Sequence, residues 1–155
     1  MAPGVIQPKT LFMGMVIAAM VATTNAQDAG YREVDSPFQD SYEFAVNTDL
    51  RPMVAVAGVR WTRFGIKVKG DGEIDPEKNT AVTVDLGFVN TNSESVKILV
   101  IALFEDENGV TLDRLECAKV KAGNDRLKES VQKYRISGAV LQATRKVYLF
   151  CEVER

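Results

Sequence analysis

The chain predicts an all-β fold, an antiparallel β-sandwich of about seven short strands behind a removable leader. Three observations carry this. Apolar and polar residues alternate in short runs, Gly, Asn and Asp clusters separate the runs, and the first 26 residues follow a different rule from the rest.

The leader comes first. Pro8 and Lys9 precede an apolar run of 12 residues, Leu11 to Ala22, followed by Thr24 and Ala26 as small residues. A positive start, a short apolar stretch and a small-residue site are the parts of a secretory signal peptide, read here as residues 1–26 with cleavage after Ala26. The alternative is a membrane anchor. A span needs about 20 apolar residues, which disfavours it and predicts no membrane span after cleavage. The expected location is secreted or periplasmic.

Composition narrows the function classes. The chain has 19 basic and 21 acidic residues, and removing Lys9 with the leader leaves 18 against 21, a net charge of −3. That argues against nucleic acid as a partner. Histidine is absent, which removes the commonest general base and metal ligand. The chain is therefore expected to be no enzyme. About 129 residues remain after the leader, enough for one domain with its own core.

Residues 27–50 form an acidic lead-in, read as mobile over Gln27 to Asp40 with a short strand over Tyr42 to Val46. The sandwich domain is placed at 51–155. Met53 to Trp61 and Phe64 to Lys69 are the first two runs, the second with Phe64, Ile66 and Val68 on one face. Gly70 to Asn79 is a loop. Ala81 to Asn90 is the clearest strand, with Val82, Val84, Leu86 and Phe88 on one face. Residues 90–93 (Asn-Thr-Asn-Ser) are turn chemistry.

Val96 to Glu105 is apolar on both faces, as a central strand would be. Asn108-Gly109 suits a primed hairpin turn into a return strand, Val110 to Ala118. Arg126 to Ile136 fits a helix through Leu127, Val131 and Tyr134, or a strand through Ser130, Gln132, Tyr134 and Ile136; the strand is favoured because its neighbours are β. Ser137 to Thr144 has room for a helical turn, and Lys146 to Val153 is a strand with Val147, Leu149, Cys151 and Val153 inward.

Residues 84–114 resemble the core of FxLYD-type domains of exported bacterial proteins. Phe88-Val89-Asn90 and Leu103-Phe104-Glu105-Asp106 through Gly109 carry the likeness, with Phe104-Glu105 where that family has Tyr-Asp. The resemblance implies an immunoglobulin-like sandwich and no catalytic residues.

Four groups of residues are site candidates. Cys117 and Cys151 both face inward, and an even count in an exported protein favours a disulfide, with two buried thiols as the alternative. Asp71, Glu73, Asp75 and Glu77 in one loop, with Asp106 and Glu107 in another, could gather carboxylates at one end for Ca²⁺; the plainer reading is a solvated acidic rim. Arg60, Trp61, Arg63 and Phe64 offer a recognition face or a sugar platform, although core placement of Trp61 and Phe64 is favoured. Leu99, Ile101 and Leu103 occupy the second face of the central strand and need cover, from the lead-in, from a helix over 126–136, or from a partner, with cover from within the chain favoured.

The expectation is an exported, non-catalytic module for protein interaction or envelope accessory work, with an unidentified protein partner. The alternative is a carbohydrate- or calcium-dependent ligand-binding module.

Overall fold

The computed structural model describes residues 30–70 and 72–155, so the proposed leader, 1–26, lies outside the described residues. Ten strands and one short helix follow in order: β1 (Arg32–Val34), β2 (Phe38–Glu43), β3 (Val54–Val56), β4 (Val59–Val68), β5 (Asn79–Asn90), β6 (Val96–Glu105), β7 (Thr111–Glu116), β8 (Val120–Ala122), β9 (Leu127–Ser137), α1 (Gly138–Ala143) and β10 (Lys146–Glu154). They form two sheets. The first has the order β1-β3-β4-β5-β9; the second has β2-β10-β6-β7, with β8 beside β7 on the same edge of β6. Every pairing is antiparallel except β1 with β3.

Period-two alternation builds the interior. Val82, Val84, Leu86 and Phe88 of β5 and Ile98, Val100, Ala102 and Phe104 of β6 are all buried, and both sheets contribute to one hydrophobic core. Each large apolar side chain removed from water in this way contributes about 1.5–3 kcal/mol. Val147, Leu149 and Cys151 of β10 are buried, as the inward set expected from the sequence, with Val153 packed at the margin. The ambiguous segment is strand, β9 over Leu127–Ser137, and the expected helical turn before β10 is α1.

Four local features differ from the sequence reading. The run Met53 to Trp61 is a hairpin, β3 and β4 joined at Ala57-Gly58, both with positive φ (46° and 81°), as a primed two-residue turn requires. β4 then continues through Trp61 to Val68 because a bulge at Thr62 resets the alternation. That bulge turns both Trp61 and Phe64 inward although they are three apart, and the Arg63 carbonyl accepts the indole N–H at 3.0 Å. Gly87 lies opposite, where a Cβ would press on Thr62 Oγ1 and Arg63 Cβ.

The lead-in is the second difference. Phe38–Glu43 pairs with β10 and Arg32–Val34 with β3, so the described part of 27–40 belongs to the sheets. Buried Phe38, with Val34 and Tyr42 against the core, anchors a segment whose polar composition suggested mobility.

The third is the hairpin at 106–110. Only Gly109 has positive φ, so the turn is of the kind that closes with a left-handed glycine rather than a primed pair. The fourth is the split of the return strand: the chain leaves β6 after Cys117, whose N–H still bonds the Val100 carbonyl, and rejoins it at Val120.

The turn at 90–93 forms around a buried asparagine. Asn90 Nδ2 donates to the carbonyls of Glu94 (2.7 Å) and Ala122 (3.1 Å), and its Oδ1 accepts from the Asn92 backbone and side chain, both at 3.0 Å. All of its bonding capacity is met, which is what makes a fully buried amide tolerable.

Candidate functional site

The basic-aromatic stretch divides by face. Trp61 and Phe64 are fully buried, Trp61 stacking on Phe88 at 5.7 Å and meeting Phe64 edge-on at 6.2 Å. A sugar platform needs an open ring face, so Trp61 cannot provide one. Arg60 reaches outward over the Tyr31 ring at 5.7 Å, and Arg63 pairs with Glu129 of β9 at 3.5 Å. Two cations rather than a basic-aromatic face reach the surface.

Of the acidic residues, Asp71 lies outside the described residues. Asp75 works within its own loop: its Oδ1 accepts the Glu77 N–H at 2.9 Å, and its other oxygen meets Lys78 at 3.2 Å. Those bonds hold its carboxyl below the usual range, the Glu77 N–H contributing most. Asp106 Oδ1 accepts the N–H groups of Asn108 (2.8 Å) and Val110 (3.0 Å), which shapes the 106–110 turn. Glu73 is exposed in the same loop as Asp75. Both loops lie at the end of the molecule where α1 leads into β10, as expected, yet among the described residues no three acidic, Cys or His groups gather to hold a metal.

The cysteines require a correction. Both are free and buried. Cys151 lies opposite Val100 on one side of β6, and the Cys117 N–H donates to the Val100 carbonyl from the other side at 2.9 Å. A whole strand separates them, so their Cα atoms stand about 9–10 Å apart at ordinary strand spacing. A disulfide spans at most about 7 Å. Burial lifts each thiol from its usual 9.0 to about 12, with Glu116 and Glu152 adding smaller pushes to Cys117 and Cys151 respectively.

What the structure assembles is a surface on the second sheet. β6 and β10 are adjacent, and their outward residues fall in register: Leu103 beside Tyr148, Ile101 beside Phe150, and Leu99 beside Glu152. These five large apolar or aromatic side chains are half-buried, whereas the alternate residues of both strands are buried apart from Val153 at the margin. The two candidate covers within the described chain are elsewhere. Residues 127–137 form an edge of the first sheet, and residues 38–43 pair along the edge of β10. Charged residues border the stripe: Arg114 flanks Leu103, Glu116 flanks Ile101, and Lys146 sits between Glu43 and Glu105. The stripe therefore has an apolar, aromatic centre and a rim of both charge signs.

The outward aliphatics of β6 were recognisable in the sequence; Tyr148 and Phe150 were not singled out. The available signal was the unbroken apolar run Val147 to Cys151, which gives β10 two apolar faces where one would serve a core.

The outer face of the first sheet carries a cluster of cations at one end. Lys67 and Lys69 of β4 and its following residue, with Lys133 and Arg135 of β9, wall an open hollow of about 710 Å³ over Ala81 and Thr83. Lys67 is tied to Asp49 at 2.8 Å, a bond that lowers the Asp49 carboxyl. Among the described residues no helix is long and apolar enough to cross a membrane. Compared with the models of known protein families and with curated proteins, the chain matches none.

Proposed function

We propose that this chain is an exported, non-catalytic interaction module on an immunoglobulin-like β-sandwich, and that it binds another protein through the outer face of the β10–β6 sheet. The observation that carries the reading is the stripe of Leu99, Ile101, Leu103, Tyr148 and Phe150. Aromatic residues on a rigid sheet present large contact area at small entropic cost, and they dominate binding hot spots. Flanking charges of both signs give orientation rather than bulk affinity. The leader-like residues 1–26 support export, and the absence of histidine supports a role without acid–base chemistry.

Affinity capture from the native envelope tests this with three baits: wild type, Phe150→Lys, and Thr83→Lys on the opposite sheet. A partner retained by wild type and Thr83→Lys but lost by Phe150→Lys supports the reading. A partner retained by all three places binding elsewhere and contradicts it.

A further inference from the structure

β9 ends the first sheet. It pairs with β5 along its full length, residues 127 to 137, and no strand flanks its other edge among the described residues. An edge of this length leaves a row of backbone donors and acceptors ready to pair. Two of the most exposed large apolar residues in the described chain lie on it, Leu127 at 59% and Val131 at 62%. Natural edges are commonly protected by charge, and β9 does carry Lys128, Glu129, Lys133 and Arg135. Their arrangement, however, is not protective against a copy of itself.

Residues 127, 129, 131, 133 and 135 share the outward face. Read outward from Val131, Glu129 lies two residues before it and Lys133 two after. Leu127 lies four before and Arg135 four after. A strand with this order is self-complementary when reversed. We propose that β9 pairs antiparallel with β9 of a second copy, with Val131 on the two-fold axis, joining two first sheets into one continuous sheet.

In this register Val131 meets Val131. Glu129 meets Lys133 on both sides of the axis, and Leu127 lies beside the aliphatic stem of Arg135. On the inward face, Ser130 faces Gln132 and Lys128 faces Tyr134. Other registers are poorer. An axis at Lys133 opposes two ammonium groups, and one at Glu129 opposes two carboxylates. An axis at Gln132 keeps Glu129 against Arg135 but sets Val131 against Lys133, so the exposed apolar residues lose each other. Glu129 already lies 3.5 Å from Arg63, and an exposed pair of that length can be shared with the second copy's Lys133. An isologous contact of this kind closes at a dimer and does not propagate, because each first sheet then ends at β1.

The test uses the purified protein. Its native thiols are buried, so an introduced exposed cysteine is the reactive one. Val131→Cys is compared under mild oxidation with Val110→Cys, a similarly exposed position (56%) outside the strands. A covalent dimer forming at least tenfold faster for Val131→Cys supports the pairing; equal rates, or no dimer, overturn it. Sedimentation of the unmodified protein gives the second arm. Lys133→Glu is expected to weaken self-association about tenfold, and Glu129→Lys in the same chain to restore it. Absence of concentration-dependent association in the parent, or failure of the double swap to restore it while the melting temperature is unchanged, contradicts the proposal. Phe150→Lys should leave the Val131→Cys crosslink intact, which separates this result from the fate of the second-sheet surface.

Discussion

Gln132 holds the Ala118 peptide at both ends. Its Oε1 accepts the Ala118 N–H at 2.8 Å and its Nε2 donates to the Ala118 carbonyl at 2.9 Å. Ala118 sits where the chain leaves β6 between β7 and β8, so its backbone lacks a ladder partner there. A side-chain amide from β9 takes the place of a strand and links the two sheets. The Tyr134 hydroxyl joins the same point, accepting from Ala118 N–H and donating to Gln132 Oε1. Replacing Gln132 with Ala removes four hydrogen bonds, two to Ala118, one from the Tyr134 hydroxyl and one to Ser130 Oγ, in a partly solvated setting, which is expected to cost about 1–2 kcal/mol. Urea denaturation of Gln132→Ala measures it; a loss close to zero would mean that water replaces the clamp fully.

Gly138 allows no side chain. A Cβ there would overlap the Asp75 carbonyl oxygen, while the Gly138 N–H donates to the Lys78 carbonyl at 2.8 Å. The start of α1 and the loop before β5 are therefore locked together by backbone contact. Gly138→Ala is expected to destabilise by about 3 kcal/mol, because backbone must move. Gly87→Ala should cost less, about 1 kcal/mol, since its close neighbour is the rotatable Thr62 hydroxyl at 2.5 Å. Thermal melts of the two variants give the ranking, and the reverse order would contradict it.

The buried thiols are expected to make stability fall at alkaline pH. Cys117 and Cys151 have folded pKa values near 12, above their ordinary 9.0, and burial likewise raises Tyr42 from 10.0 to about 12, aided by Asp40. Groups whose folded pKa is raised favour the fold below the unfolded pKa and lose that contribution as pH climbs through the folded one. Stability should hold to about pH 9 and decline from there toward pH 12. Cys117→Ala with Cys151→Ala should flatten the first part of that decline. An unchanged slope in the double variant would remove the thiols as its source.

The same burial controls reactivity. The thiolate is the reacting form, so native Cys117 and Cys151 are expected to react with a thiol reagent at least tenfold more slowly than after denaturation. Two thiols should then titrate per chain. Recovery of none under denaturing, non-reducing conditions would restore the disulfide reading.

Legibility in the sequence followed strand length and periodicity. β5 was recognisable because its 12 residues are long enough for period two to stand out, β6 and β10 because each holds an apolar run of strand length, and β9, which also fits helical spacing, only because its neighbours are strands. β1, β3 and β8 have three residues each, too few to show a period, and their pairing is set by distant partners such as Val54 for Arg32. The bulge at Thr62 hid the continuity of β4, since it breaks the alternation on which strand recognition rests. The inward faces of Cys117 and Cys151 were readable, whereas the strand between them depended on order within the sheet, which local sequence does not encode. One half of the second-sheet surface, Leu99 to Leu103, was visible as an excess of aliphatics; Tyr148 and Phe150 join it only through the β10–β6 register.

Hydroxyl-radical footprinting of the protein in native envelope extract, against buffer alone, tests the interaction surface most directly. Partner binding through the outer face of the second sheet should reduce labelling of Tyr148 and Phe150 several-fold, while exposed Met53 on the other sheet's side changes little. Equal labelling of Tyr148 and Phe150 in extract and in buffer, under conditions where a partner is captured, would contradict the proposed surface.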